Sequence, residues 1–126
     1  MTDSVQGYWV KSKENLAVAD DARNAGSYNA AASRYYYALV LAGLALLERE
    51  RMAYEWVDHP IFIEDVIDLF DKKRYGDRSE MMDALEEARQ VRIRADYEPF
   101  PVKPNHLTCV FLNCQPILEA IALDLK

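Results

Sequence analysis

Helix breakers are scarce in this chain. It has only four glycines and five prolines in 126 residues, and three of the prolines (Pro99, Pro101 and Pro104) sit close together. Long stretches are therefore left free to coil. Cysteine is nearly absent too. Cys109 and Cys114 are five residues apart, which puts them on different faces of a helix, so they neither bridge readily nor share a metal. With no Cys-x-x-Cys pattern, the reading is two reduced thiols in a cytoplasmic protein. Met1-Thr2-Asp3-Ser4 has no basic region followed by an apolar run, so no signal peptide is expected. The longest apolar run, Tyr35 to Leu47, is thirteen residues with Gly43 inside it, flanked by Arg34 and Glu48. A membrane span needs roughly 20 residues, so a buried core helix is expected and no membrane.

Positive charge is also in short supply. The net charge of −6 argues against a broad, non-specific binder of nucleic-acid backbone, whose affinity comes from Lys and Arg, but leaves room for a local basic site. There is no glycine-rich phosphate loop, no Gly-x-Ser-x-Gly elbow and no His-Glu-x-x-His helix. The two histidines, His59 and His106, have no Cys or carboxylate at ligand spacing, so neither a metal site nor a cofactor is implied.

What is present describes one folded domain, residues 1–126. Hydrophobic residues make up 51% and charged residues 29%, a composition that folds, and two domains of this length would each bury too little surface. Five helices are expected. The first runs from about Ser4 to Arg23 and stops at Ala25-Gly26. The second runs from Ser27, a good N-cap, to about Arg51; apolar nearly all round, it belongs at the centre of a bundle. The third spans about Asp58 to Lys73, with Pro60 in its first turn and Phe62, Val66, Leu69 and Phe70 on one face. The fourth opens at Asp77 with Glu80 completing a capping box and ends at Ala95 or Tyr97, before the prolines. The fifth runs from about Asn105 to the C-terminus, kinked at Pro116. No alternating strand pattern appears, so the fold class is all-α, an antiparallel up-and-down bundle of four or five helices.

The fourth helix carries the informative anomaly. At 100° per residue, Met81, Met82, Ala84, Leu85, Ala88, Val91, Ile93 and Ala95 form an apolar arc. Asp83, Glu86, Glu87, Gln90 and Arg94 lie opposite. Arg89, Arg92 and Asp96 fall inside the apolar arc. Charges turned toward a core are paired or line a cleft, and Arg92 and Asp96, four apart, can meet. Either they lock helices together or they line a binding site. Arg34, at the start of the apolar run, is a second charge of this kind.

These stretches resemble the HEPN family of helical domains. Ala25-Gly26-Ser27-Tyr28-Asn29-Ala30-Ala31, then Ser33-Arg34-Tyr35-Tyr36-Tyr37-Ala38 running to Leu46-Leu47, is similar to the second helix of small prokaryotic HEPN proteins. His59, followed by Ile63 and Phe70, is similar to their next segment. Leu85, Ala88 and Arg92-Ile93-Arg94-Ala95-Asp96-Tyr97 resemble the Arg-x-x-Ala-Asp-Tyr element closing their fourth helix. The likeness extends from about Ala17 to Leu125. It implies a helical bundle that pairs as a homodimer, often encoded beside a nucleotidyltransferase as a toxin–antitoxin or defence pair. Many members are metal-independent ribonucleases, marked by an Arg followed four to six residues later by a His. Here Arg92 matches the Arg, but Tyr97, Glu98 and Pro99 occupy the window for the His, and His106 lies fourteen positions on. A phenol, titrating near ~10, is a poor general base at neutral pH.

The resemblance and the misplaced charges together make Arg34, Arg92, Asp96 and His59 the expected residues of a nucleotide- or RNA-binding cleft. Arg92, Asp96 and Tyr97 are the only candidates for catalysis. Each has a plainer reading: Arg92–Asp96 as a buried ion pair, Tyr97 as a packing residue with its hydroxyl bonded, His59 and His106 as helix-start residues. The Lys72-Lys73-Arg74 and Arg78 cluster reads as cations at a helix end. Dimer contact is expected from apolar surface on the second and fourth helices.

Overall fold

The computed structural model describes residues 2–50, 64–69 and 78–125. Five helical segments are present among them: α1 (Asp3–Asn24), α2 (Tyr28–Arg49), α3 (residues 64–69), α4 (Arg78–Tyr97) and α5 (Pro104–Asp124). None of the described residues forms a strand. Asp58, His59, Pro60, Phe62, Phe70, the 72–74 cations and Asp77 lie outside the described residues.

The local signals explain most boundaries. Thr2, two residues before the expected start, caps α1 by accepting the Val5 amide at 3.2 Å. At its other end Gly26 takes φ 80°. The amides of Gly26 and Ser27 then reach the carbonyls of Arg23 and Ala22 at 3.1 and 2.8 Å, the paired bonds that close a helix on a left-handed residue. Ser27 stands at the N-cap of α2 but makes no side-chain capping bond; only its carbonyl, accepting from Ala31 at 3.0 Å, belongs to the helix. Pro104 occupies the first turn of α5, and the helix continues through Pro116. Leu112 and Pro116 are both exposed, so the bond that proline cannot donate is lost on the side water can reach.

α2 is the centre. It packs on α1, α4 and α5, and α4 packs on α5. Its inward residues alternate small and large: Ala31, Ala32, Ala38, Ala42 and Ala45 are sealed alongside Tyr35, Tyr36, Leu46 and Leu47. The alanines let neighbouring backbones approach, while each buried leucine contributes about 1.5–3 kcal/mol. α1 answers with Val5, Ser12 and Ala19 as its fully buried residues, one every seven positions, the repeat of helices that lie nearly parallel or antiparallel. Ser12 is polar, yet its hydroxyl donates to the Ala38 carbonyl at 2.7 Å.

Cross-links set the directions. Ser12–Ala38 and Asp20–Tyr35 contacts run α1 antiparallel to α2, and α4 runs antiparallel to α5 through Arg94–His106 and Glu87–Asn113. At the far end Arg49 of α2 grips Asp124 of α5 through both its carboxylate and, at 2.9 Å, its carbonyl. By length and composition α2 and α5 match membrane spans, with mean hydropathy 1.4 and 1.3. The α2 window is 72% buried inside the bundle, as a core helix is, against 33% for α5. The apolar surface of α2 is thus consumed within the subunit. The large exposed apolar side chains among the described residues are Val10 and Val18 on α1, Tyr97 and Phe100 at and beyond the end of α4, and Leu112 and Leu123 on α5.

Candidate functional site

The last three turns of α4 carry a ladder of charges on the face that meets α2. Glu86, Arg89, Arg92 and Asp96 are spaced three, three and four, so all four side chains rise on one side of the helix. Arg92 is 7% exposed, one of two buried polar or charged residues among those described, with Ser12. Its Nη1 lies 3.8 Å from Asp96 Oδ2, and Arg89 Nη1 lies 3.6 Å from Glu86 Oε2. Both contacts are longer than a charge-assisted hydrogen bond of about 2.7–2.9 Å. The Nε atoms of Arg89 and Arg92 are sealed and have no hydrogen-bond partner. Two guanidinium groups therefore enter the α2–α4 interface with their donors only partly used.

Aromatic faces hold Arg92 in place. Its guanidinium carbon is 5.2 Å from the Tyr36 ring centroid, 5.8 Å from Tyr37 and 6.0 Å from Tyr97, within the range of cation–π attraction. The effect is mutual. Burial pushes the Tyr36 hydroxyl up to about 12, though the positive charges of Arg92 and Arg89 pull the other way, so Tyr36 is a neutral phenol at every physiological pH. At the rim, Asp96 has a third of its side chain exposed and accepts from Ser33 on α2 at 3.4 Å.

The residues expected to form one cleft do not all converge. Arg92, Asp96 and Tyr97 come together, joined by Ser33, Tyr36 and Tyr37. Tyr97 is 76% exposed, which corrects its reading as a packing residue. Arg34 is separated from the group. One position beyond Ser33, it is turned about 100° around α2, lies exposed, and donates to Asn15 of α1 at 3.2 Å. His59 lies outside the described residues.

A second polar group forms where α4 meets α5. Arg94 Nη1 is 3.3 Å from His106 Nδ1, and Arg94 Nε is 3.4 Å from Glu98 Oε2. Arginine only donates, so the contact is a hydrogen bond when Nδ1 is unprotonated and the ring proton sits on Nε2. Sequence reasoning set His106 aside because it stands far from Arg92 along the chain. Its true neighbour is Arg94, on a different face of α4 and opposite His106 once the Pro99–Pro104 turn folds α5 back. Antiparallel pairing across that turn was the signal that could have found it. Among the described residues, no group of three or more His, Cys, Asp or Glu is placed to hold a metal ion.

A family model for the HEPN domain matches residues 5–123, nearly the whole chain. The chain belongs to the HEPN domain family. No curated relative matches it. The all-helical architecture agrees with that membership, and in this chain the charge ladder lies on the inner side of the fourth helix, against Tyr36 and Tyr37 of the second.

Proposed function

We propose that this HEPN protein is the nucleotide- or RNA-binding component of a nucleotidyltransferase-linked toxin–antitoxin or defence pair, acting in the cytoplasm as a homodimer. The observation that carries this reading is the incomplete satisfaction of Arg92. A purely structural guanidinium buried to this degree is normally saturated by short bonds, because desolvation is costly and only good geometry offsets it. Arg92 has one long ionic contact and three aromatic faces instead, at a rim where Asp96 and Tyr97 meet solvent. A phosphate oxygen is the ligand that matches a planar cation with spare donors, and the exposed Tyr97 ring offers a stacking face beside it.

The test compares Arg92→Met and Arg92→Ala with the unmodified protein in RNA and nucleotide retention, with helicity monitored by circular dichroism. Loss of retention in a folded Arg92→Met protein is the expected result. Full retention would reject Arg92 as the binding group. Co-purification with the nucleotidyltransferase but no RNA retention at all would select instead a non-catalytic helical partner.

One observation favours a second reading, an active ribonuclease without the usual motif. The Arg94–His106 contact sets an imidazole beside a cation, although the window after Arg92 has no His. Metal-free incubation with end-labelled RNA tests it. Cleavage that disappears in His106→Ala supports the reading, and an intact substrate excludes it.

A further inference from the structure

The groove between α1 and α5 lies apart from the charge ladder of α4. Both helices pack on α2, while their backbones stay apart from each other, which leaves an open slot lined by Tyr35. Its volume is about 290 Å³, and its walls are Trp9 and Leu16 from α1 with Phe111 and Leu118 from α5. That is the lower end of small-molecule pockets, roughly 300 Å³ and above. A docked helix, about 10–12 Å across with its side chains, does not fit inside it.

Polar side chains line this mostly apolar slot as well, Asp20 among them. Asp20 accepts the Tyr35 hydroxyl at 2.5 Å and has no ionic partner among the described residues. A carboxylate has about four acceptor positions, so most of its capacity is unused. Tyr35 also shows what the carboxylate accepts, since it already holds a phenol. The surrounding charge is balanced: Asp20 and Glu119 are offset by Lys13 and by Arg23, whose guanidinium carbon lies 3.6 Å from the Phe111 ring centroid. No net field therefore draws an ion into the groove. Cys114, at its base, is kept a neutral thiol by burial.

We infer that this groove binds an uncharged, ring-bearing small molecule with a largely hydrocarbon body and one hydrogen-bond donor, as in phenols and indoles, directed at Asp20. The ring lies between the aromatic side chains of α1 and α5, where offset or edge-on packing adds to simple burial. The donor replaces the water that otherwise solvates the carboxylate. The site is independent of the α4 ladder.

The experiment is a fluorine NMR titration of the full chain with 4-fluorophenol. Fluorobenzene, 4-fluorobenzoate and 4-fluorobenzylammonium serve as the donor-free, anionic and cationic counterparts. Saturable binding of the phenol is expected, with contacts to the rings of Trp9 and Phe111 in nuclear Overhauser spectra. Binding of fluorobenzene should be about tenfold weaker, as loss of a bond to a charged acceptor implies, and both ions should bind more weakly than the phenol. Asp20→Asn should weaken the phenol about tenfold, and Ala122→Trp, which fills the slot, should remove binding. Arg92→Met should leave it unchanged. The proposal is overturned if the phenol does not bind, if either ion binds more tightly, or if bound phenol shows no contact with Trp9 or Phe111.

Discussion

Arg92 reaches across from α4 to lie 5.2 Å from the ring of Tyr36 on α2, in a helix interface that seals nine-tenths of its side chain. Its carboxylate partner is far less enclosed, with 32% of the Asp96 side chain exposed. The two halves of this ion pair should therefore respond differently to removal. Arg92→Met keeps the bulk and leaves a carboxylate that water can solvate, so stability should change by no more than about 1 kcal/mol. Asp96→Ala leaves a buried cation with no carboxylate and should cost about 2–3 kcal/mol. Urea denaturation of both variants measures the order. Equal costs, or a larger cost for Arg92→Met, would show that the guanidinium matters mainly through its packing.

Tyr36 gives a prediction in pH. Its hydroxyl is pushed up to about 12 in the folded chain, chiefly by burial, against about 10 when unfolded. A raised folded value means the stabilisation is fully present below about pH 10 and is lost as pH rises toward 12. At about 1.4 kcal/mol per unit, this one phenol accounts for about 2–3 kcal/mol of alkaline sensitivity. Burial also raises Tyr35 and Cys114, so the whole protein should weaken over this range. Tyr36→Phe should lose stability less steeply between pH 10 and 11.5 than the unmodified chain, as read by denaturant midpoints. Parallel slopes would place the Tyr36 hydroxyl in contact with water.

The fold was legible because its signals are local or periodic. The unbroken apolar arc of α2, the Gly26 stop and the proline cluster after Tyr97 each act within a few residues. The inward charges of α4 were legible for the same reason, since angular position on a helix follows from numbering alone. What sequence could not supply was the identity of the neighbour on the other side. Arg34, at the start of an apolar run, looked like a second case of Arg92, a charge inside an apolar arc, yet it faces Asn15 of α1. His106 looked remote from any arginine until chain reversal brought it to Arg94. Asp20 and Ser12 drew no notice on the first helix. Their partners, Tyr35 and the Ala38 carbonyl, are fifteen and twenty-six positions away.

The two cysteines should react as unlike groups. Cys109 is exposed, while Cys114 is buried and its thiol is raised by desolvation first, with the charge of Glu87 adding to it. The thiolate is the reactive form, so the Cys114 side chain is both covered and protonated. Titration with an aromatic disulfide reagent near pH 8 should modify one thiol quickly in the native protein and the second only in denaturant. Rapid modification of both in the folded state would mean that α5 opens locally at Cys114.

The seven-residue row of α1 is the most exacting feature of the packing, and its smallest member tests it. Ala19 is 0% exposed, on the helix face that meets the alanines of α2, whereas its neighbour Val18 is 50% exposed. Ala19→Leu adds three carbons where the helices have no room, and should cost about 1–3 kcal/mol through displaced side chains. For a domain of this size that lowers the melting temperature by about 3–6 °C per kcal/mol. Val18→Leu enlarges a side chain in solvent and should change stability by less than about 0.5 kcal/mol. Calorimetry of the two variants side by side checks the contrast. If Ala19→Leu melts with the unmodified protein, α1 is not seated on α2 along the 5–12–19 row, and the groove it forms with α5 would have a different floor.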